Sequence, residues 1–142
     1  LLAARAHYSG ELRAKLLKKN FTRSAVDYVE SECRRLRLLD DEQFAFDLCR
    51  ELHSRGYGIF QIKFRMRKKG IPGDMIEQAV NGVADDNPDA EREAAEQAFA
   101  TKMRMLIRED DPRKKREKLY RYMMTRGFSG DIIRTLLEEN NL

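Results

Sequence analysis

Lysine and arginine are the side chains best placed to do chemistry in this chain, and that chemistry is the binding of anions. Residues 63 to 69 carry Lys63, Arg65, Arg67, Lys68 and Lys69 without an acid among them. Residues 113 to 121 carry Arg113, Lys114, Lys115, Arg116, Lys118 and Arg121 against Glu117 alone. Between these runs stand Asp85, Asp86, Asp89, Glu91, Glu93 and Glu96 against Arg92. The net charge of +4 is modest, so the segregation carries the signal. Blocks of opposite sign suit an anionic partner at one place and a different contact at another.

Catalytic patterns are not legible. His7 and His53 are the two histidines, and neither has a companion at metal-ligand spacing. No phosphate-cradling glycine loop, nucleophile elbow or paired-histidine zinc motif occurs. Asp40, Asp41 and Glu42 form the one acidic cluster that invites a metal, and acids at a helix start do the simpler work of capping amides and opposing the dipole. Cys33 and Cys49 stand alone among helix-forming residues, as thiols in a reduced cytosol would. The residues point to binding without catalysis, cofactor or metal.

The elements that position the cations follow from an internal repeat. With Asn20, Gly70 and Gly127 aligned as anchors, Leu12, Ile62 and Leu119 stand eight residues earlier, and Leu16, Met66 and Met123 four earlier. Phe21, Ile71 and Phe128 follow by one, Val26, Ile76 and Ile133 by six, and Val29, Ala79 and Leu136 by nine. Six matched columns make a repeat. Glycine, and next asparagine, accepts the left-handed conformation that ends a helix, so each anchor closes one helix and opens the turn to the next. Thr22 and Ser129 are placed to cap the helices that follow, and Pro72 suits a first turn. Asp40 with Gln43 reads as a capping box, and Asn87-Pro88 as a helix start with proline in the first position.

The expected architecture is all-α: three tandem three-helix repeats over 1–38, 39–86 and 87–142, nine helices stacked into an elongated, curved solenoid. Residues 2 to 7 read as the remnant of a first helix, and the chain starts in mid-pattern, as a truncated N-terminus would. Apolar residues make up 42% and charged residues 37%, which fits helices wet on one face and excludes a disordered tail. No apolar run approaches the ~18 residues of a membrane span.

Within the repeat, the cations fall into register. Seven, five, two and one residues before the anchor stand Arg13, Lys15, Lys18 and Lys19 in the first unit and Lys63, Arg65, Lys68 and Lys69 in the second. The third unit keeps Arg126 and puts Tyr120 and Tyr122 in the first two columns. Lys19, Lys69 and Arg126 suit the dipole of a last helical turn. The mid-helix columns have few acids four residues away and are candidates to meet nucleic acid or an acidic protein groove. Phe60, Phe64 and Tyr57 are scattered, with no aromatic platform of the kinds that stack bases on a sheet.

At these residues the chain resembles the RecX family of regulatory proteins. The resemblance is carried by His7-Tyr8-Ser9-Gly10-Glu11-Leu12 with Lys15-Leu16, by Leu39-Asp40-Asp41-Glu42-Gln43-Phe44-Ala45, by Ser54-Arg55-Gly56-Tyr57-Gly58, by Lys69-Gly70-Ile71 and by Arg126-Gly127-Phe128. It implies three tandem three-helix repeats and a cytoplasmic, non-enzymatic modulator of the RecA recombinase. Such proteins lie in the groove of the RecA–DNA filament, block its extension, and lower its ATPase, strand-exchange and coprotease activities; some also bind single- or double-stranded DNA. A monomer is expected. The sequence departs from the family pattern where Tyr8 precedes Ser9, where Ile59 stands in place of proline after the Gly-Tyr-Gly turn, and where Asn20 replaces glycine. The alternative reading is a non-specific nucleic-acid-binding helical repeat. In either, the binding face is assigned to Arg13, Lys15, Lys63, Arg65, Arg67, Lys68, Lys69, Lys114, Lys115 and Arg121, with Asn20, Gly70, Gly127 and Asp40 as caps.

Overall fold

A computed structural model describes residues 9–35 and 41–142, with side chains over 13–32 and 41–142. The expected helix over 2–7 and the cap at Asp40 lie outside the described residues. Eight helices are described: α1 (Ser9–Lys18), α2 (Arg23–Arg35), α3 (Asp41–Ser54), α4 (Ile59–Lys68), α5 (Gly73–Asp86), α6 (Ala90–Met105), α7 (Pro112–Arg126) and α8 (Gly130–Glu139). No strand occurs among the described residues.

The repeat columns are the core. Ile62, Met66, Ile71, Ile76 and Ala79 are buried with Ala45, Cys49 and Leu52 of α3, forming one cluster from α3, α4 and α5. Leu119, Met123, Phe128, Ile133 and Leu136 are buried with Ala94, Ala98 and Phe99 of α6, forming the equivalent cluster from α6, α7 and α8. Each triplet of helices therefore encloses its own apolar centre, and α3, α4 and α5 reach across to α6 and α7. In α1 and α2 the same columns are thinner: Val26 is fully buried, Leu16 only half-buried, and Phe21 is 49% exposed.

Each anchor ends its helix as its backbone requires. Asn20, Gly70 and Gly127 have φ of 67°, 86° and 99°. The amide after each reaches back to the carbonyl four residues before the anchor, Phe21 to Leu16, Ile71 to Met66 and Phe128 to Met123, at 3.2 to 3.3 Å. This Schellman closure satisfies carbonyls that a helix end leaves open. The hydroxyl of Thr22 accepts from the amide of Ala25 at 3.1 Å, and that of Ser129 from Ile132 at 3.3 Å.

Two helix starts move. Pro72 is the N-cap of α5, not a first-turn residue, and Asp89 rather than the residue before Pro88 precedes α6. The side chain of Asn87 accepts from the amide of Asp89 at 3.2 Å, and its carbonyl from Ala90 at 3.1 Å. Asn87 and Pro88 thus build a turn before the helix, which their types also favour. The proline in a first helical turn is instead Pro112, behind Asp111, whose carboxylate accepts from the amide of Arg113 at 3.0 Å.

Candidate partner-binding surface

The first of the two mid-helix cation columns pairs with acids of its own unit. Arg13 on α1 pairs with Asp27 and, at 3.1 Å, with Glu30 on α2. Lys63 on α4 pairs with Glu77 on α5 at 2.8 Å. Asp27 and Glu77 both stand seven residues after their anchors, so one repeat column neutralises another. In the third unit these columns hold Tyr120 and Arg134, each of which lies against Gly130. The acids that satisfy Arg13 and Lys63 lie on the next helix, not four residues along the same one. Both hydrogen bonds to Asp27 and Glu30 push the Arg13 guanidinium above its ordinary pKa.

In the next column Arg65 stacks on the ring of Tyr57, 4.1 Å from its centroid, while Arg126 covers the same ring at 3.9 Å. Tyr122, its counterpart in the third unit, takes Lys102 at 5.2 Å. Lys15 is exposed. The cations outside these columns face solvent: Arg67, Lys68, Lys69, Lys114 and Arg121 are exposed and Lys115 half-buried. The ammonium of Lys68 lies 5.2 Å from the ring of Phe64. Around Arg121 the surface of α7 forms an open hollow with Arg113, Arg116, Tyr120 and Met124.

The turn between α3 and α4 and the cap of α7 form one joint. Gly56, at φ 79°, closes α3, and Tyr57 donates back to Leu52 at 3.1 Å. The amide of Gly58 donates to the carbonyl of Arg126 at 2.8 Å, and that of Phe60 to Gly127 at 3.1 Å. The guanidinium of Arg126 donates to the carbonyls of Gly56, at 3.1 Å, and Arg55. Gln61 donates to the carbonyl of Thr125 at 3.1 Å. The Arg-Gly-Tyr-Gly and Arg-Gly-Phe stretches, distant in sequence, therefore meet backbone to backbone.

Glu91 supports this joint from α6. One carboxylate oxygen contacts Nε2 of His53 at 2.9 Å, and the other accepts from the amide of Ile59 at 2.9 Å. Ile59 stands where the family pattern has proline, which would offer no amide hydrogen. Below them Cys49 is fully buried, and desolvation, with Glu91 adding to it, pushes its thiol up to about 11. It is a packing residue. Among the described residues no group of three or more His, Cys, Asp or Glu is arranged to hold a metal, and no helix is long and apolar enough to cross a membrane.

The chain is similar to known proteins in sequence and in fold. The model of the third three-helix domain of RecX matches residues 89–137, and that of the second three-helix domain matches 40–80. The regulatory protein RecX of Chlorobaculum tepidum is 35% identical over 135 residues, covering 94% of this chain and 79% of its own. Two crystal structures of RecX proteins share the fold. One has a TM-score of 0.82 at 21% identity, covering 96% of this chain and 66% of that one. The other, from Lactobacillus salivarius, has a TM-score of 0.79 at 24% identity, covering 97% and 88%. The likeness to the Chlorobaculum tepidum protein and the two domain matches place the chain in the RecX family of regulatory proteins.

Proposed function

We propose that this chain is a non-enzymatic, cytoplasmic regulator of the RecA recombinase, acting as a monomer built from units 1–38, 39–86 and 87–142. It binds in the groove of the RecA–DNA filament and stops extension, and thereby lowers ATPase, strand exchange and coprotease activity. One observation carries the reading: the likeness to regulatory RecX proteins runs over nearly the whole chain. The joint at Gly58 and Gly127 supports it, because a fixed relation between successive units presents one long surface to a partner that is itself a periodic assembly. The exposed cations Arg67, Lys68, Lys69, Lys114 and Arg121, with the half-buried Lys115, supply a field that attracts acidic side chains or phosphates. Arg13, Lys63 and Arg65, held by partners of their own, contribute less.

The test is the ATPase of RecA on single-stranded DNA as this protein is added. Stopping filament growth takes few molecules, so inhibition is expected well below equimolar protein. Unchanged ATPase and filament length at equimolar protein would sink the reading. Comparing naked with RecA-coated DNA at matched salt separates it from non-specific nucleic-acid binding, since the electrostatic part of DNA affinity falls steeply with salt.

A further inference from the structure

The helices that end at the anchors share an outward face distinct from the paired columns. Ten, six, three and two residues before the anchor, α4 presents Phe60, Phe64, Arg67 and Lys68, all exposed. The same positions of α7 hold Glu117, Arg121, Met124 and Thr125, again all exposed. Large apolar side chains exposed among the described residues number eight, and three of them, Phe60 (62%), Phe64 (48%) and Met124 (48%), fall in these columns of α4 and α7. A fourth, Leu17 (41%), holds the Arg67 and Met124 position of α1. Scattered exposed apolar residues need no explanation, whereas Phe60 and Phe64 on one face of α4, continued by Met124 near the end of α7 that meets α4, form a patch that does.

The face is basic as well as apolar. No acid occurs in α4, and Glu117, the acid on the α7 face, leans on Arg113 at 3.4 Å. Aromatic residues, methionine and arginine are also the types enriched at the centre of protein interfaces. Phe60, Phe64 and Arg67 stand at the spacing by which a helix anchors in a groove. The two helices are held end against end by Phe60 donating to Gly127 and Gln61 to Thr125, so Phe60 and Met124 flank one fixed joint.

We propose that this face of α4 and α7 docks on a protein surface that pairs acidic side chains with apolar pockets. Phe60, Phe64 and Met124 enter the pockets, and Arg67, Lys68 and Arg121 meet the acids. Met124 among the anchors favours protein over nucleic acid, since a thioether offers no flat ring on which bases stack and methionine is a type enriched at protein interfaces. The inference rests on the reading that the partner is a recombinase filament, and names the face that meets its protein.

Two variants test it, Phe60→Ala/Phe64→Ala and Arg67→Glu/Arg121→Glu. Each is titrated onto RecA-coated single-stranded DNA and onto the same DNA naked, with thermal midpoints recorded alongside. All four side chains are exposed, so the midpoints are expected to stay within a few degrees of wild type. The apolar double variant is expected to lose at least tenfold in filament affinity and nothing on naked DNA; the charge reversal is expected to lose at least tenfold on the filament. Wild-type affinity of both variants for a filament that the unaltered protein binds overturns the face and leaves the regulatory reading standing. Equal loss by the apolar variant on naked DNA overturns protein docking in favour of a nucleic-acid surface. A wild-type protein that binds no filament overturns the regulatory reading, and the docking face with it.

Discussion

Gly58 and Gly127 touch backbone to backbone across two repeats: a Cβ on Gly58 would lie 2.5 Å from the carbonyl carbon of Gly127. Gly127 is crowded in turn by the start of α4, for a Cβ on it would lie 2.5 Å from that of Gln61. Here glycine is required by space as well as by conformation. The contact sets the distance at which the second unit joins the third, and the amide of Gly58 locks it by donating to Arg126.

The cost of alanine should therefore rank the anchors. At Gly70, with φ of 86°, a Cβ meets nothing within 4 Å, and only the left-handed backbone penalty of about 1–2 kcal/mol is expected. At Gly127 the overlap with the backbone of Gln61 adds to that penalty, and a loss of about 3 kcal/mol or more is expected. Urea unfolding of Gly70→Ala and Gly127→Ala measures both; equal losses would mean that the joint yields without strain.

Exchanging the charges of one intra-unit pair tests whether the cation columns are structural. Lys63 and Glu77 are 26% and 56% exposed in their side chains, so their coupling should be modest, about 0.5–1 kcal/mol. Lys63→Glu alone places two acids together and should lower stability by about that much. Lys63→Glu with Glu77→Lys should regain most of it. A double-mutant cycle with no coupling would release Lys63 for a partner.

Cys49 gives stability an alkaline limit. Its thiol titrates near 9.0 when free and about 11 when buried. The folded state holds its proton where the unfolded state has lost it, so the contribution is complete below pH 9 and disappears as pH rises through 11. Two pKa units correspond to about 3 kcal/mol. Cys49→Ala should flatten this part of the stability–pH curve, and the wild-type thiol should resist alkylation at pH 8 until the protein unfolds.

The sequence made the core and the anchors readable for a simple reason. Buried columns such as Ile62 with Leu119 and Met66 with Met123 obey one constraint in every unit, and left-handed helix ends admit few residue types. The cation columns were harder to read, because the partner of Lys63 is Glu77 on another helix and only the fold brings them together. Arg65 and Arg126 stood in different units and columns, and the ring of Tyr57 that joins them sits in a turn. Phe60 and Phe64 looked scattered until the anchors supplied a register in which they share an exposed face with Arg67 and correspond to Glu117 and Arg121 of α7.

The last prediction concerns Glu91, which serves three elements with one carboxylate. It contacts His53 of α3 and accepts from the amide of Ile59 at the start of α4, while itself standing in the first turn of α6. The other ring nitrogen of His53, Nδ1, is buried with no hydrogen-bond partner. Glu91→Ala would leave both ring nitrogens and the Ile59 amide unmatched, and groups stranded in this way cost about 1–3 kcal/mol each in buried settings. Partial exposure of the pair, 11% for His53 and 31% for Glu91, lets water take over some of that work. A loss of about 2 kcal/mol is expected on this basis. Ile59→Pro removes the amide hydrogen together with a half-buried side chain that packs on the α3–α5 core, keeps the carboxylate on His53, and places proline in a first helical turn, where its fixed φ is favourable. Measured against Ile59→Ala, which loses the side chain and keeps the amide, that variant should differ by no more than about 1 kcal/mol. If this difference equals the cost of alanine at 91, the Ile59 amide rather than the histidine is the contact through which Glu91 holds the joint.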